Sequence, residues 1–193
     1  GRAWLDVARA AVEGGASCVQ LREKHLPDRE LLERAAALVR VARDGGAAAV
    51  INDRPDIALL AGADGVHLGQ DDLRVPEARR IVGPSAVIGV SCSTPEQAAA
   101  AAREGADLVG LGAMYQSGTK PKPSIAGTGL LTEVLADPDL AGLPHLAIGG
   151  IDADRARLVP IAGATGEGAL IGDIDSGIDV LHPHFFFADG GAY

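Results

Sequence analysis

Seven short apolar runs recur along the 193-residue chain, and stretches with helical spacing separate them. The runs are rich in Val, Ile and Leu without strict polar alternation, which is typical of parallel strands that helices cover. Because parallel strands cannot be joined by tight turns, this alternation predicts an α/β fold with helical crossovers. The predicted strands span residues 17–22, 48–53, 65–70, 86–91, 108–115, 145–150 and 168–173.

Helix signals lie between the runs. One helix is predicted after the first run, where five apolar residues share one face: Leu31, Ala35, Leu38, Val39 and Ala42. Another is predicted to begin after Thr94, an N-cap residue with Pro95 at the first helical position and Gln97 three residues on, and to stop at Gly105. Shorter helices are predicted over 54–62 and 76–83, and the segment from Trp4 to Ala11 also has helical spacing.

Polar residues end nearly every run, and this favours a closed barrel over an open sheet. A barrel brings all its strand ends into one ring, whereas an open sheet concentrates its ligands at one switch point. Since the segment before the first run is helical, we expect a (β/α)₈ TIM barrel that lacks its first strand and has an atypical C-terminal end. The predicted organisation is one barrel domain over 1–180 and an atypical tail over 181–193.

The charge balance narrows the possible partners. The chain has 17 Lys+Arg against 26 Asp+Glu, a formal net charge of −9, which opposes binding to nucleic acids and anionic membranes. Two cysteines are too few for a disulfide framework, no apolar run has the about 18 residues needed to span a bilayer, and we expect a cytoplasmic protein. A barrel that lacks a strand exposes two sheet edges, which favours homo-oligomers.

The end of the first run carries an amide and two cations. Strand alternation predicts that Gln20, Arg22 and Lys24 point the same way, toward the barrel mouth. A guanidinium that binds phosphate oxygens bidentately and an ammonium beside it suit a diphosphate. A solvated strand end, with Glu23 pairing one of the cations, explains the spacing equally well.

Acidic residues follow the next two runs. Asn52 and Asp53 end the second run, and Asp71 and Asp72 follow the third. Carboxylates from neighbouring strand ends near a diphosphate indicate a Mg²⁺ site, since waters and phosphates would complete the octahedron. The alternative is that Asp71 or Asp72 caps the following turn. We interpret His67, within the third run, as a structural histidine.

Two further segments suit phosphate binding. The loop over 115–129 holds hydroxyls and two lysines, and it is either a flap over phosphates or a plain solvent loop. Gly149 and Gly150 after the sixth run, with Gly172 after the seventh, match the phosphate cup that barrels often build there.

Four blocks of the sequence, in this order, resemble the thiamine-phosphate synthase family. They are QLREK, INDRPDIALLAGADGVHLGQDD, IGVSCSTPEQAAAAAREGADLVGLGAMYQSGTK and AIGGI, and they extend to Ile151. The resemblance implies a (β/α)₈ transferase that joins 4-amino-2-methyl-5-(diphosphooxymethyl)pyrimidine to 4-methyl-5-(2-phosphooxyethyl)thiazole. The products are thiamine monophosphate and diphosphate. It also implies a dissociative, Mg²⁺-assisted substitution.

The resemblance assigns roles to particular residues. Catalysis is implied for Arg22, Lys24 and Lys120, which would stabilise the leaving diphosphate, and Mg²⁺ binding is implied for Asp53 and Asp72. Pyrimidine diphosphate binding is implied for Gln20, Arg22, Lys24, Asn52, Ser91 and Lys120. Thiazole phosphate binding is implied for Ser117, Thr119, Gly149, Ile171 and Gly172.

Departures from the family pattern leave other functions open. Ser93 stands where the family commonly has His, and Asp173 brings a carboxylate beside the last phosphate site, where like charge weakens anion binding. The alternatives are a thiazole tautomerase-like enzyme, a non-catalytic phosphate-ligand-binding homologue, and a barrel enzyme acting on another phosphorylated substrate. The acidic residues Asp53 and Asp72 argue against the tautomerase.

Overall fold

The computed structural model describes residues 4–116, 125–140, 142–151, 170–171 and 178–181. In these ranges the strands are β1 (Cys18–Leu21), β2 (Ala48–Asn52), β3 (Gly65–Leu68), β4 (Val87–Cys92), β5 (Leu108–Gly112), β6 (His145–Ile148), β7 (Leu170–Ile171) and β8 (Ile178–Leu181). The helices are α1 (Trp4–Glu13), α2 (Asp28–Asp44), α3 (Pro55–Ala61), α4 (Val75–Val82), α5 (Pro95–Glu104) and α6 (Gly129–Ala136). None of the helices in these ranges has the length and apolar content to cross a bilayer.

The strands form one sheet in the order β7-β6-β5-β4-β3-β2-β1-β8. From β1 to β7 each strand pairs in parallel with the next one in sequence. An unbroken sequential order is the order of a barrel wall, because an open doubly wound sheet reverses direction at a switch point. The fold is therefore a TIM-like barrel that lacks strands, as predicted, and every predicted run contains a strand.

The edge beside β1 holds a strand that the sequence analysis missed. β8 pairs antiparallel with β1, with Cys18 opposite Leu181 and Leu21 opposite Ile178. No described ladder joins β7 to β8, so the sheet is open in the ranges that the structure covers. The boundary expected between residues 180 and 181 falls within β8, and the division of the chain there stays a prediction.

Helix α2 shows how the sequence pattern becomes packing. Its buried residues are the five whose spacing predicted the helix: Leu31, Ala35, Leu38, Val39 and Ala42. Helix α5 begins as expected, with the hydroxyl of Thr94 accepting a hydrogen bond from the Gln97 N–H at 3.3 Å, and it ends at Gly105 in a left-handed conformation. Local signals therefore positioned both helices correctly.

The core lies between the sheet and the helices. Alternate strand residues, among them Leu21, Ile51 and Ile88, are almost fully buried there. Because strand side chains alternate between faces, the residues between them point toward the barrel interior. Gln20 and His67 belong to this second set, and so does Ser91 near the end of β4.

Candidate active site

An ion pair joins the first two strand ends. Lys24, in the connection from β1 to α2, places its Nζ 2.8 Å from Oδ2 of Asp53, which directly follows β2. The φ angle of Asp53 is 65°, and its N–H donates to the carbonyl of His67 at 2.8 Å. Aspartate tolerates this left-handed conformation better than most residues, at some cost in strain. The backbone at the end of β2 is therefore held so that the Asp53 carboxylate meets Lys24.

Asp72 brings a second carboxyl group to the same place. Its Oδ2 accepts a hydrogen bond from the N–H of Gly69 at 2.6 Å, in the loop after β3. Burial, a hydrogen bond with Asp53 and the charge of Asp53 raise the pKa of Asp72, while the Gly69 N–H and Lys24 lower it. A carboxyl pair whose charges repel in this way favours a cation between its oxygens.

The pair fits a Mg²⁺ ion, because Mg²⁺ binds through one or two carboxylates and takes its other ligands from water and substrate phosphates. Within the described ranges, no group of three or more His, Cys, Asp or Glu side chains could hold a metal ion. Of the two acidic residues after β3, the structure brings Asp72 to Asp53, while Asp71 is exposed.

Ser91, near the end of β4, is held from two sides. Its Oγ lies 2.9 Å from Nε2 of His67, and its carbonyl oxygen accepts a hydrogen bond from Nε2 of Gln70 at 2.7 Å. Burial lowers the pKa of His67 to about 4, against the opposing effect of the Asp53 charge. The imidazole is therefore neutral at pH 7 and can act as a hydrogen-bond partner without adding charge to the mouth.

Three predicted diphosphate ligands lie around the first two strand ends. Gln20 is in β1, Asn52 ends β2 opposite His67, and Arg22 is half-buried just beyond β1. Because β1 stops at Leu21, strand alternation does not extend to Arg22 and Lys24, whose placement depends on the turn toward α2. In the described part of the chain Arg22 makes no ion pair, so its guanidinium remains free to bind an anion.

The turn after β6 is built from close main-chain contacts. Gly149 and Gly150 have φ angles of +90° and +67°. A Cβ at Gly149 would lie 2.7 Å from the Cβ of Ala113, and one at Gly150 would lie 2.5 Å from the carbonyl oxygen of Tyr115. Only glycine accepts both the conformation and the packing without strain. The turn after β6 therefore packs directly against the segment that follows β5.

Several predicted site residues cannot be placed in this geometry. Ser117, Thr119, Lys120 and Gly172 lie outside the described residues, as does Asp173. Ile171 ends β7, and only its backbone position is described.

Two contacts of the site were not anticipated. His67 was interpreted as structural, and it does have a satisfied hydrogen bond, but its partner is a predicted substrate ligand, Ser91. Gln70 was not assigned a role from the sequence, and its side chain holds the Ser91 carbonyl. The sequence signal for the contact of His67 with Ser91 was glycine at positions 89 and 110, on the two strands after β3. Both glycines leave room for the His67 ring.

Two other polar residues of the motifs serve the scaffold. Arg54 pairs with Asp28 at 2.7 Å and with Asp56 at 2.6 Å, at the starts of α2 and α3. Ser93, which stands where the family commonly has His, donates its N–H to Oε1 of Gln97 at 2.7 Å. Both residues therefore stabilise helix starts.

The comparison with protein families decides what kind of barrel this is. Residues 1–172 match the family model of thiamine monophosphate synthase. The chain belongs to this family. The match ends at Gly172, so all of β1–β7 lies within it and β8 lies beyond it.

Similar proteins agree with this membership in the thiamine monophosphate synthase family. The chain is 44% identical over 179 residues to a thiamine-phosphate synthase of Moorella thermoacetica, covering 91% of this chain and 84% of the relative. It is 45% identical over 179 residues to one of Methanoculleus marisnigri, covering 92% and 83%. The structure of a thiamine phosphate pyrophosphorylase from Pyrococcus furiosus superposes with a TM-score of 0.75 at 35% identity, covering 88% of this chain and 80% of that one.

Proposed function

We propose that this chain is a thiamine-phosphate synthase, a transferase that acts on two small phosphorylated molecules. The observation that carries the proposal is the grouping of Lys24, Asp53 and Asp72 at three consecutive strand ends of a family member. A cation and two carboxylates within contact of each other suit a magnesium diphosphate, which needs both kinds of partner.

The proposed reaction is a substitution at the methylene carbon of the pyrimidine diphosphate. The C–O bond to diphosphate breaks, the leaving diphosphate keeps the electron pair, and the thiazole nitrogen forms the new C–N bond. Bound Mg²⁺ would supply Lewis-acid stabilisation of the leaving group. Arg22, Lys24 and Lys120 would stabilise the charge that develops on the diphosphate, so no nucleophilic side chain is needed.

The remaining ligands divide between the two substrates in this proposal. Asp53 and Asp72 would hold the metal ion. Gln20, Asn52 and Ser91 would orient the pyrimidine diphosphate, with the three cations on its phosphates. Ser117, Thr119, Gly149, Ile171 and Gly172 would hold the thiazole phosphate. We also propose a cytoplasmic protein, because two cysteines are too few for a disulfide framework, and a homo-oligomer, because a barrel that lacks a strand leaves sheet edges that can pair.

The test is direct. The purified chain is incubated with both substrates and Mg²⁺, with and without EDTA, and thiamine monophosphate is detected by mass. Product that disappears with EDTA is the expected result. A folded chain that forms no product but binds either substrate in calorimetry would overturn the proposal and support a non-catalytic binder. Product that persists in EDTA would overturn the role of the metal ion and leave the proposed reaction in place.

A further inference from the structure

The histidine of β3 lies in a slot that two glycines make. In the β3–β4 register His67 is opposite Gly89, and in the β4–β5 register Ser91 is opposite Gly110. A Cβ at Gly89 would lie 2.5 Å from Nδ1 of His67, and one at Gly110 would lie 3.2 Å from its Cε1. Any larger residue at Gly89 would therefore displace the ring.

This slot sets the direction of the ring. Gly89 and Ser91 are two residues apart on β4, so they lie on the same face of the sheet. A ring that rests over Gly89 extends along β4 toward the strand end, and its Nε2 reaches Ser91 Oγ at 2.9 Å. The Ser91 hydroxyl therefore has a hydrogen-bond partner in His67, and the Ser91 carbonyl has one in Gln70.

We propose that His67 is a positioning residue, which holds the Ser91 hydroxyl in the orientation that binds the pyrimidine diphosphate. The inference rests on the proposed function, because that function gives Ser91 its ligand. In this proposal His67 acts through Ser91. A hydroxyl rotates freely unless a partner holds it, so a hydrogen bond between the hydroxyl and a fixed ring selects one orientation and lowers the cost of ordering it on binding.

Two substitutions separate the hydrogen bond of the His67 ring from the space that the ring fills. A leucine at position 67 keeps apolar volume but removes the nitrogen, whereas a glutamine can place an amide nitrogen near the position of Nε2. His67→Leu is therefore expected to weaken binding of the pyrimidine diphosphate about three- to tenfold, the range for one neutral hydrogen bond. His67→Gln is expected to stay within about twofold of the unaltered chain.

The deciding experiment is a double-mutant cycle on binding. Calorimetry with the full chain, Mg²⁺ and the pyrimidine diphosphate alone measures Kd for the unaltered chain, His67→Leu, Ser91→Ala and the double variant. If His67 acts through Ser91, His67→Leu changes Kd by less than about twofold once Ser91 is alanine. Losses that multiply in the double variant would overturn the proposal, as would a Kd unchanged by His67→Leu.

Two controls separate positioning from a structural role. His145→Gln alters a half-buried histidine at the start of β6, whose Nδ1 contacts the carbonyl of Leu143, and it is expected to leave Kd unchanged. Thermal unfolding verifies that each variant is folded. If His67→Leu does not fold, the cycle is run with His67→Ala, which also removes the ring nitrogen, and losses that multiply there overturn the proposal.

The same measurements keep the two proposals distinguishable. Binding and a non-additive cycle, without thiamine monophosphate formation, would overturn the proposed function and keep the positioning role. Formation of thiamine monophosphate with an additive cycle would keep the proposed function and overturn the positioning role of His67. In the active chain, His67→Leu is expected to raise KM for the pyrimidine diphosphate and to leave KM for the thiazole phosphate unchanged.

Discussion

The two halves of the barrel mouth differ in what they present, which is side chains in one half and main chain in the other. The charged half lies at the ends of β1 to β4 and presents polar side chains held by side-chain contacts: Lys24, Asp53, Asp72 and Ser91. The glycine half, Gly112, Gly149 and Gly150, follows β5 and β6 and presents main chain packed against main chain. A Cβ at Gly112 would lie 2.1 Å from the carbonyl oxygen of Ile148.

The two halves should therefore respond differently to substitution. A single charge at the mouth can be removed at a modest cost in folding free energy, because these groups are partly solvated. A close backbone contact has no spare volume, so any added atom acts on folding and on the site together. The charged half should therefore show its effects in activity and the glycine half in stability.

The largest expected effect is on turnover, from Asp53→Asn. Losing one of the two metal-binding carboxylates is expected to lower kcat/KM by about a hundred- to a thousandfold, since the leaving diphosphate loses several kcal/mol of charge stabilisation. Steady-state kinetics with varied Mg²⁺ measures it. Asp44→Asn, an exposed carboxylate at the end of α2, is the matched control and should match the unaltered chain. A near-normal rate in Asp53→Asn would refute the assignment of the metal site.

The next effect is on stability, from Gly149→Ala. The comparison is with Gly105→Ala, because Gly105 has φ +88° and open space where Gly149 has φ +90° and Ala113 within contact. We expect a loss of about 1–2 kcal/mol in Gly105→Ala from the backbone conformation alone. Gly149→Ala should lose about 1–3 kcal/mol more from overpacking. Urea denaturation measures both, and equal losses would show that the turn after β6 is loosely packed.

The pH dependence of stability should come from His67, the hydrogen-bond partner of Ser91. The pKa of His67 is about 4 in the folded chain, below its usual 6.5, so the folded state disfavours the proton. The contribution of His67 to the free energy of unfolding is then fully present above pH 6.5 and is lost as the pH falls toward 4. The loss between pH 7 and pH 5 is about 2 kcal/mol. His67→Gln should remove this part of the loss in denaturation at both pH values. The additional cost of Gly149→Ala over Gly105→Ala should be the same at both.

The smallest expected effect divides the substrates between the halves. Lys24→Gln removes the ammonium paired with Asp53 and is expected to raise KM for the pyrimidine diphosphate and to lower kcat, so that kcat/KM falls about tenfold, the value of one charge-assisted hydrogen bond. KM for the thiazole phosphate should not change, because its proposed site is the glycine half. Lys24→Arg, which keeps the charge, should recover part of the loss. A rise in both KM values would mean that the two halves do not act separately.

Much of the fold could be predicted from local signals. The apolar face of α2 and the Thr94 cap of α5 were both confirmed, because each depends on residues within a few positions of one another. β8 could not be predicted in this way. A short strand at a sheet edge becomes a strand only through its pairing with β1, and that contact joins residues far apart in the sequence.

The candidate site divides along the same line. Spacing showed that acidic and basic residues end the first three strands, and parallel strands in sequential order bring those ends together. It could not show that β1 would stop at Leu21, before the two cations that alternation had placed on it. Nor could it show that His67 would contact Ser91, since that bond needs the β3–β4–β5 register and the room at Gly89.

The alternation of strands and helices and the kinds of side chain at the strand ends are set by the sequence. These follow from hydrophobic period and from helix-capping and stop signals, which act over a few residues. Only the tertiary structure decided that Lys24 meets Asp53, that Asp72 joins them, and that glycines pack the turn after β6. Each of those contacts joins separate strand ends, so it exists only once long-range register and close packing are in place.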